Sequence, residues 1–181
     1  MRAWTIQTRD VAEALCSGRT WYAHEPKVAP DWRHAYQWMR DQMTARLGPP
    51  AVPTQMPVWL WCQWRGSRRA RPDLRYVGHL PSGTAGVRIE LELDETGILR
   101  SDFELWHYVL NGWYLPGSPA DEREFDARPD RARIEPSWQR IFDLDRNNRR
   151  YTSSRDEKSI QGVTWCMRPE DVRAVTHFIA R

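Results

Sequence analysis

Carboxylates alternate along the most regular strand pattern in the chain. Glu90, Glu92 and Asp94 occupy every second position, so in a β-strand they share one face at a spacing of about 7 Å. Paired carboxylates can act as general acid and base or hold Mg²⁺. An amphipathic strand with one solvent-facing side gives the same alternation, so both interpretations stay open.

A basic segment follows a tryptophan-rich strand pattern. Its arginines are Arg65, Arg68, Arg69, Arg71 and Arg75. Arginine binds phosphate through paired N–H groups, and a neighbouring aromatic ring can stack on a base. The pattern therefore indicates contact with phosphate, although a solvated loop explains it as well. The formal net charge of +3 is far below the strongly basic balance of dedicated nucleic-acid binders.

A short helix pattern holds the densest group of potential ligand side chains. A Ser-x-x-Glu capping box that begins at Ser101 opens this helix. His107 and Asn111 lie four residues apart and share a helical face, and Asp102 can interact with the dipole at the helix N-terminus. We predict a catalytic role for His107 and ligand-binding roles for Asp102 and Asn111.

Several standard sites have no signature in the sequence. The chain shows no nucleophile elbow, no G-x-G-x-x-G and no P-loop. Cys16, Cys62 and Cys166 are far apart, and the five histidines stand singly, so we expect neither a disulfide framework nor a metal. With no signal peptide and no apolar span, we expect a cytoplasmic protein without a membrane partner.

The elements that must position these residues follow from periodicity and capping. Strand patterns cover 3–8, 58–64, 86–94, 160–165 and 174–180, and helix patterns begin near Asp10, Asp31, Ser101, Ser118 and Pro136. The composition, with 40% hydrophobic and 28% charged residues among 181, is that of one soluble domain. We predict a single α+β domain over 1–181 with four to five short helices. The apolar-poor segment 143–158 is predicted to be a mobile loop.

Several segments together resemble one bacterial family, the group catalogued as domain of unknown function 3841. They are WTIQT from Trp4, GVRIELELD from Gly86, SDFELWHYVLN from Ser101, WQRIFDLD from Trp138 and KSIQGVTW from Lys158. The likeness covers nearly the whole chain. It implies no established activity.

The architecture also resembles the ADP-ribosyltransferase superfamily, through a polar first strand, a short helix ending at Gly18 and a late strand entered by Gln161. That resemblance implies a short split antiparallel β-sheet that binds NAD and transfers ADP-ribose. It implies a catalytic role for Thr5 and for Gln161, which stands where the superfamily has Glu and carries no charge. On the first strand, the resemblance implies that Thr5, or Gln7 in its place, contacts the NAD. The other NAD-binding position that it implies is an aromatic residue, Tyr22 or Tyr36.

Two functions from different classes follow. The first is a domain that binds NAD or a related nucleotide, with Arg88 or the Arg65 to Arg75 segment on the diphosphate, and transfers ADP-ribose to a macromolecule or senses the nucleotide. The alternative is a non-catalytic module for single-stranded RNA or a protein partner that uses Trp59 and Trp61. A third interpretation places all 11 tryptophans in the core of a structural or regulatory protein.

Overall fold

A continuous six-stranded antiparallel sheet forms the centre of the protein. The structure is a computed structural model that describes residues 1–24 and 29–181. The strands of the sheet are β1 (Arg2–Thr8), β4 (Val58–Gln63), β5 (Ala85–Glu92), β6 (Leu99–Asp102), β7 (Ile160–Thr164) and β8 (Val172–Ile179). A separate pair joins the two-residue strands β2 (Ala23–His24) and β3 (Gln55–Met56).

Strand order across the large sheet is β6-β7-β4-β1-β5-β8, so β1 and β4 are internal. In register, Glu90 of β5 lies opposite Trp4 of β1, and Trp4 lies opposite Trp61 of β4. The same row continues from Trp61 to Gln161 of β7 and on to Ser101 of β6. Residues of one row share a face of the sheet because neighbouring strands align their pleats.

Five α-helices and several short 3₁₀ segments surround the sheet in the described part of the chain. The helices are α1 (Arg9–Cys16), α2 (Arg33–Leu47), α3 (Phe103–Leu110), α4 (Pro119–Ala127) and the single turn α5 (Ile134–Ser137). The longest 3₁₀ segment is Trp138–Phe142.

Each face of the sheet has its own hydrophobic cluster. On one side, α2, α3 and the Trp138–Phe142 segment pack against Trp59, Leu99 and Val163. We call this side the α2 face. On the opposite side, the α1 face, helix α1 packs against residues that include Ala3 and Ile89. Two covered faces explain why β4 is apolar at nearly every position.

The N-terminus of α3 differs from the sequence prediction by one residue. Asp102, rather than Ser101, is the N-cap, and its carboxylate accepts from the backbone N–H groups of Glu104 and Leu105. Ser101 belongs to β6, a strand that the sequence analysis did not predict. With only four residues, three of them polar, β6 carries too little periodicity to be recognised.

The predicted class is confirmed, because the protein is a single mixed α/β domain with an antiparallel sheet and five helices. Its six long strands form one sheet, not the divided one implied by the second resemblance. Residues 143–158 contain neither helix nor strand. Tyr151, Thr152 and Lys158 are nevertheless buried, and mobility of the segment stays a prediction. No helix among the described residues is long and apolar enough to cross a membrane.

Candidate functional site

A cleft of about 880 Å³ lies on the α2 face, over the half of the sheet that the helices leave uncovered. This volume is within the usual range of small-molecule sites, about 300–1,000 Å³. We call it the arginine cleft. Its lining residues are Arg2, Trp4, Trp64, Arg65, Ser67, Arg68, Ala70, Arg71, Pro72, Asp73, Leu74, Arg75, Arg88 and Glu90.

The floor of the arginine cleft consists of alternate residues from β1 and β5. Arg2 and Trp4 project from β1, and Arg88 and Glu90 project from β5. The indole Nε1 of Trp4 donates to Oε2 of Glu90 at 3.2 Å, and Nε of Arg2 lies 3.2 Å from Oε1 of the same carboxylate. One hydrogen bond and one ion pair from the neighbouring strand therefore orient Glu90.

The wall of the cleft is the chain that follows β4, and its first turn is fixed by glycine. Gly66 has φ 98° and ψ 161°, a conformation that is essentially restricted to glycine. Its N–H donates to the carbonyl of Lys158 at 3.2 Å, and the N–H of Ser67 donates to the carbonyl of Asp156 at 2.9 Å. Arg65, just before, has φ 48°, the left-handed region that few side-chain-bearing residues occupy. This turn sends the arginines back over the sheet.

The charges in the cleft do not balance. Arg75 holds Asp73 in a salt bridge at 2.7 Å and keeps the pKa of that carboxyl far below its ordinary value, while Arg2 pairs with Glu90. Within the described residues, Arg65, Arg68, Arg71 and Arg88 have no carboxylate within salt-bridge distance. Excess positive charge in a concave site favours an anionic ligand.

Arg88 is the most enclosed of these unpaired arginines. Its Nη1 donates to the carbonyl of Pro72 at 2.8 Å, and Nη2 reaches Oγ1 of Thr176 at 3.4 Å. Burial lowers the pKa of the Arg88 guanidinium, and the positive charge of Arg71 adds to this effect. A bound anion would offset both costs.

Two aromatic residues, Trp4 and Trp64, line the cleft, and Tyr76 lies against Trp64 outside that lining. Trp64 is buried and packs edge-on against Trp61 and Tyr76. Tyr76 is 43% exposed, and the guanidinium of Arg65 lies 4.9 Å from the centre of its ring. Because one side of this cation–π pair faces solvent, it offers a flat surface for stacking.

The structure brings together part of the predicted site. Arg88 lines one cleft together with Arg65, Arg68, Arg71 and Arg75. Glu90 joins them, although its alternating pattern also fitted a solvent-facing strand. The alternating pattern of β5 predicts which of its residues share a face. It does not predict that the chain after β4 lies over one of those faces.

Thr5, Gln7 and Gln161 do not converge. Thr5 and Gln7 lie on the α1 face, where Oγ1 of Thr5 donates to the carbonyl of Trp59 and accepts from Nε2 of Gln7, both at 2.9 Å. Gln161 lies on the α2 face, two strands from β1's Trp4 with Trp61 between them. Thr5 and Gln7 therefore lie on the opposite face of the sheet from Gln161, although the second resemblance implies that all three share one site.

Gln161 is only 9% exposed, and its Oε1 has no hydrogen-bond partner among the described residues. It is not among the residues that line the arginine cleft. A role of Gln161 in catalysis stays a prediction, and it would require a ligand that extends beyond the cleft.

The residues of α3 mainly hold the structure together. Asp102 is fully buried, and its carboxylate lies 2.8 Å from Nζ of Lys158, which is fully buried as well. Asn111 donates from Nδ2 to the backbone carbonyl of His107 at 2.7 Å, and Nδ1 of His107 lies 3.0 Å from the carbonyl of Phe103. These side chains face their own helix rather than a common ligand site.

The two candidate stacking tyrosines lie elsewhere. Tyr36 packs edge-on against Trp59 and Trp106, with ring centres 5.6 and 6.1 Å away, and burial raises the pKa of its hydroxyl. Tyr22 is half-buried in the segment after α1. Neither is among the described residues that line the arginine cleft. In the parts of the chain that the structure describes, no three His, Cys, Asp or Glu side chains converge on a possible metal position.

Fold and site together define a mixed α/β domain with an arginine-lined cleft on one face of its six-stranded sheet. The chain belongs to the family described as "Domain of unknown function (DUF3841)", whose sequence profile matches residues 2–134. This confirms the family resemblance over residues 2–134, while the segments from Trp138 and Lys158 lie outside the match; the matched region contains every residue that lines the cleft. The chain matches no curated protein and no solved structure.

Proposed function

We propose that the arginine cleft binds a nucleotide, and that NAD or a related dinucleotide is its ligand. The observation that carries this proposal is the group of four arginines without a carboxylate partner in a cleft large enough for such a molecule. A diphosphate bridge presents several acceptor oxygens, which suit the paired donors of arginine. Arg68, Arg71 and Arg88 would bind the diphosphate, and the Arg65–Tyr76 pair would stack on a ring.

ADP-ribose transfer to a macromolecule is the reaction implied by the second resemblance, and it stays part of the proposal. Stabilising the positive charge that develops on the ribose calls for a nearby carboxylate. Gln161 lies outside the cleft and has no charge, whereas Glu90 lies on the floor. A nucleotide sensor without catalysis needs only the binding step.

Calorimetric titration with NAD, ADP-ribose and ATP tests the binding step. Arg71 is exposed and makes no side-chain hydrogen bond among the described residues, so Arg71→Ala removes a ligand contact without loosening the fold. We expect this variant to bind the nucleotide at least about tenfold more weakly, the usual effect of losing one hydrogen bond to a charged group.

Arg123→Ala is the matched control, because Arg123 is an exposed arginine on α4 and does not line the cleft. It should bind like the unaltered protein. The proposal fails if none of the three nucleotides binds, or if both variants weaken binding equally.

Single-stranded RNA is a second candidate, favoured by a specific observation. A neighbouring cleft of about 610 Å³ shares Arg65, Ser67 and Arg68 with the arginine cleft, so both arginines lie on the ridge between the two clefts; the far side of this ridge carries Asp156 and Glu157. The exposed ring of Tyr76 lies beside it. A phosphodiester chain can follow such a surface while its bases stack.

Salt dependence separates the two candidates. Binding of a short oligoribonucleotide through several phosphates should weaken steeply as salt rises, with a slope of about −0.7 per neutralised phosphate on logarithmic axes. An enclosed dinucleotide should respond less. Tight RNA binding with such a slope, and no binding of NAD, would favour the second candidate.

A further inference from the structure

Two carboxylates, those of Asp73 and Glu90, line the arginine cleft. They differ in how many of their hydrogen-bond acceptor positions stay open to a ligand. Asp73 accepts from Nε, Nη2 and the backbone N–H of Arg75, at 2.7 to 3.2 Å. It is therefore engaged on both oxygens within its own turn. Glu90 accepts one hydrogen bond, on Oε2 from Trp4, and its Oε1 forms an ion pair with Arg2.

Glu90 retains open acceptor positions. An ionised carboxylate has about four lone-pair sites, and one of them accepts a hydrogen bond here. The side chain is 24% exposed and lines the cleft, so the remaining sites can be reached from it. A carboxylate held in this way repels phosphate but accepts hydrogen bonds from hydroxyl or amino groups.

Glu90 also has a fixed position relative to the anion-binding side chains. Arg88 is two residues earlier on β5 and projects from the same face, about 7 Å along the strand. That is the length scale of one ribose 5′-phosphate unit. A phosphate on Arg88 would therefore place the sugar over Glu90.

We infer that Glu90 accepts hydrogen bonds from the vicinal hydroxyls of a ribose, so that the cleft selects ribonucleotides over their deoxy counterparts. This inference rests on the nucleotide-binding function proposed above and names the part of the ligand that the floor recognises. Trp4 and Arg2 are positioning residues, since Trp4 orients the carboxylate through a hydrogen bond and Arg2 through an ion pair.

The test compares ATP with 2′-deoxy-ATP and 3′-deoxy-ATP in calorimetric titrations of the unaltered protein and of Glu90→Gln. In the unaltered protein, each deoxy analogue should bind at least about tenfold more weakly than ATP. In Glu90→Gln the discrimination should fall to less than about threefold, because the amide accepts less strongly. Removal of the negative charge should at the same time tighten binding of the deoxy analogues.

The discrimination ratio separates recognition from a general charge effect. If Glu90 only repelled phosphate, Glu90→Gln would tighten all three nucleotides by one factor and leave the ratio unchanged, which would overturn the inference. Equal binding of ATP and both analogues to the unaltered protein would overturn it as well. If neither ATP nor NAD binds, the proposed function itself fails, and the inference falls with it.

Glu92→Gln serves as the matched control. Glu92 is the next residue on the same face of β5, is 44% exposed and does not line the cleft. It should leave the ratio between ATP and its deoxy analogues unchanged. Thermal melting of both variants shows whether the fold is retained.

Discussion

Lys158 and Asp102 form an ion pair that solvent does not reach. Nζ of Lys158 lies 2.8 Å from the carboxylate and 3.0 Å from the carbonyl of Arg146. The carboxylate also accepts from the hydroxyl of Thr152 and from the first turn of α3. One residue pair thus connects the start of α3 with the irregular segment before β7.

Lys158→Met should be strongly destabilising. The substitution leaves a carboxylate buried without its cation, and breaking one side of a buried pair costs about 3–5 kcal/mol. Urea denaturation at neutral pH measures the loss. The double variant Asp102→Asn with Lys158→Met should recover part of it, because the asparagine keeps the helix cap and carries no charge. A loss below about 1 kcal/mol in the single variant would contradict the importance of this pair.

Sequence reasoning identified neither partner of this ion pair. Lys158 ends a stretch with almost no apolar residue, which is typical of a loop. Asp102 was predicted to bind a ligand or to interact with the dipole of α3. The two positions are 56 residues apart, and their pairing depends on how β7 places the segment before it. Local pattern carries no information about such a contact. Arg65, Arg68, Arg71 and Arg75 were found because they are concentrated in one short segment, whereas Arg2 on β1 was not predicted.

At the scale of elements, the turn after β4 determines where the arginines lie. A Cβ added to Gly66 would lie 2.9 Å from the carbonyl oxygen of Asp156, which is backbone and cannot move aside easily. The φ of 98° adds conformational strain for any other residue. The wall of the cleft therefore depends on one glycine and on the segment that it contacts.

Gly66→Ala should lower the free energy of unfolding by about 1–3 kcal/mol, the usual cost of so unfavourable a backbone conformation. It should also weaken nucleotide binding, because the arginines that follow would shift. Gly97→Ala is the control, since nothing lies within 4 Å of an added Cβ there and its φ is not positive. Denaturation and titration of both variants check the prediction. Equal effects from the two alanines would show that the turn does not require glycine.

Elements with strong periodicity were predicted well, and elements defined by their partners were not. Helix α2, strand β1 and strand β5 all lie close to their predicted ranges. The four residues of β6 become a strand only because Leu99 to Asp102 pair with β7. The charged face of β5 was open to two interpretations: Glu92 and Asp94 are exposed, as on a solvated face, whereas Glu90 is 24% exposed and lines the arginine cleft.

At the scale of the whole molecule, burial shifts several weak acids in one direction. The pKa values of Tyr36, Tyr108, Tyr114 and Tyr151 are all raised, with burial as the main cause. Burial also raises the pKa of Cys62 to about 12. Each of these groups holds its proton to a higher pH in the folded protein than in the unfolded chain.

Stability should therefore fall at alkaline pH. Above the ordinary pKa values of cysteine and tyrosine, about 8.5 and 10, the unfolded chain releases protons that the folded protein retains. The folded state then binds more protons, so the free energy of unfolding decreases as pH rises. Urea midpoints between about pH 8 and pH 11 measure the trend. Phenolate absorbance should show tyrosines that ionise at ordinary pH only after unfolding, and a rising midpoint would contradict this account.

Strand β7 lies between β4 and β6, but the ribosome makes it long after both of them. β6 ends at Asp102 and β7 begins at Ile160, so a nascent chain that has already produced β4, β6 and α3 still has a gap in its sheet. Until Thr164 has been synthesised, the edge of β4 stays open and β6 has no strand to pair with. Non-local pairing of this kind is slow and exposes sheet edges to other chains. Because synthesis runs from the N-terminus to the C-terminus, the sheet is completed late. The unpaired edges of β4 and β6 are what chaperones would have to protect during that interval.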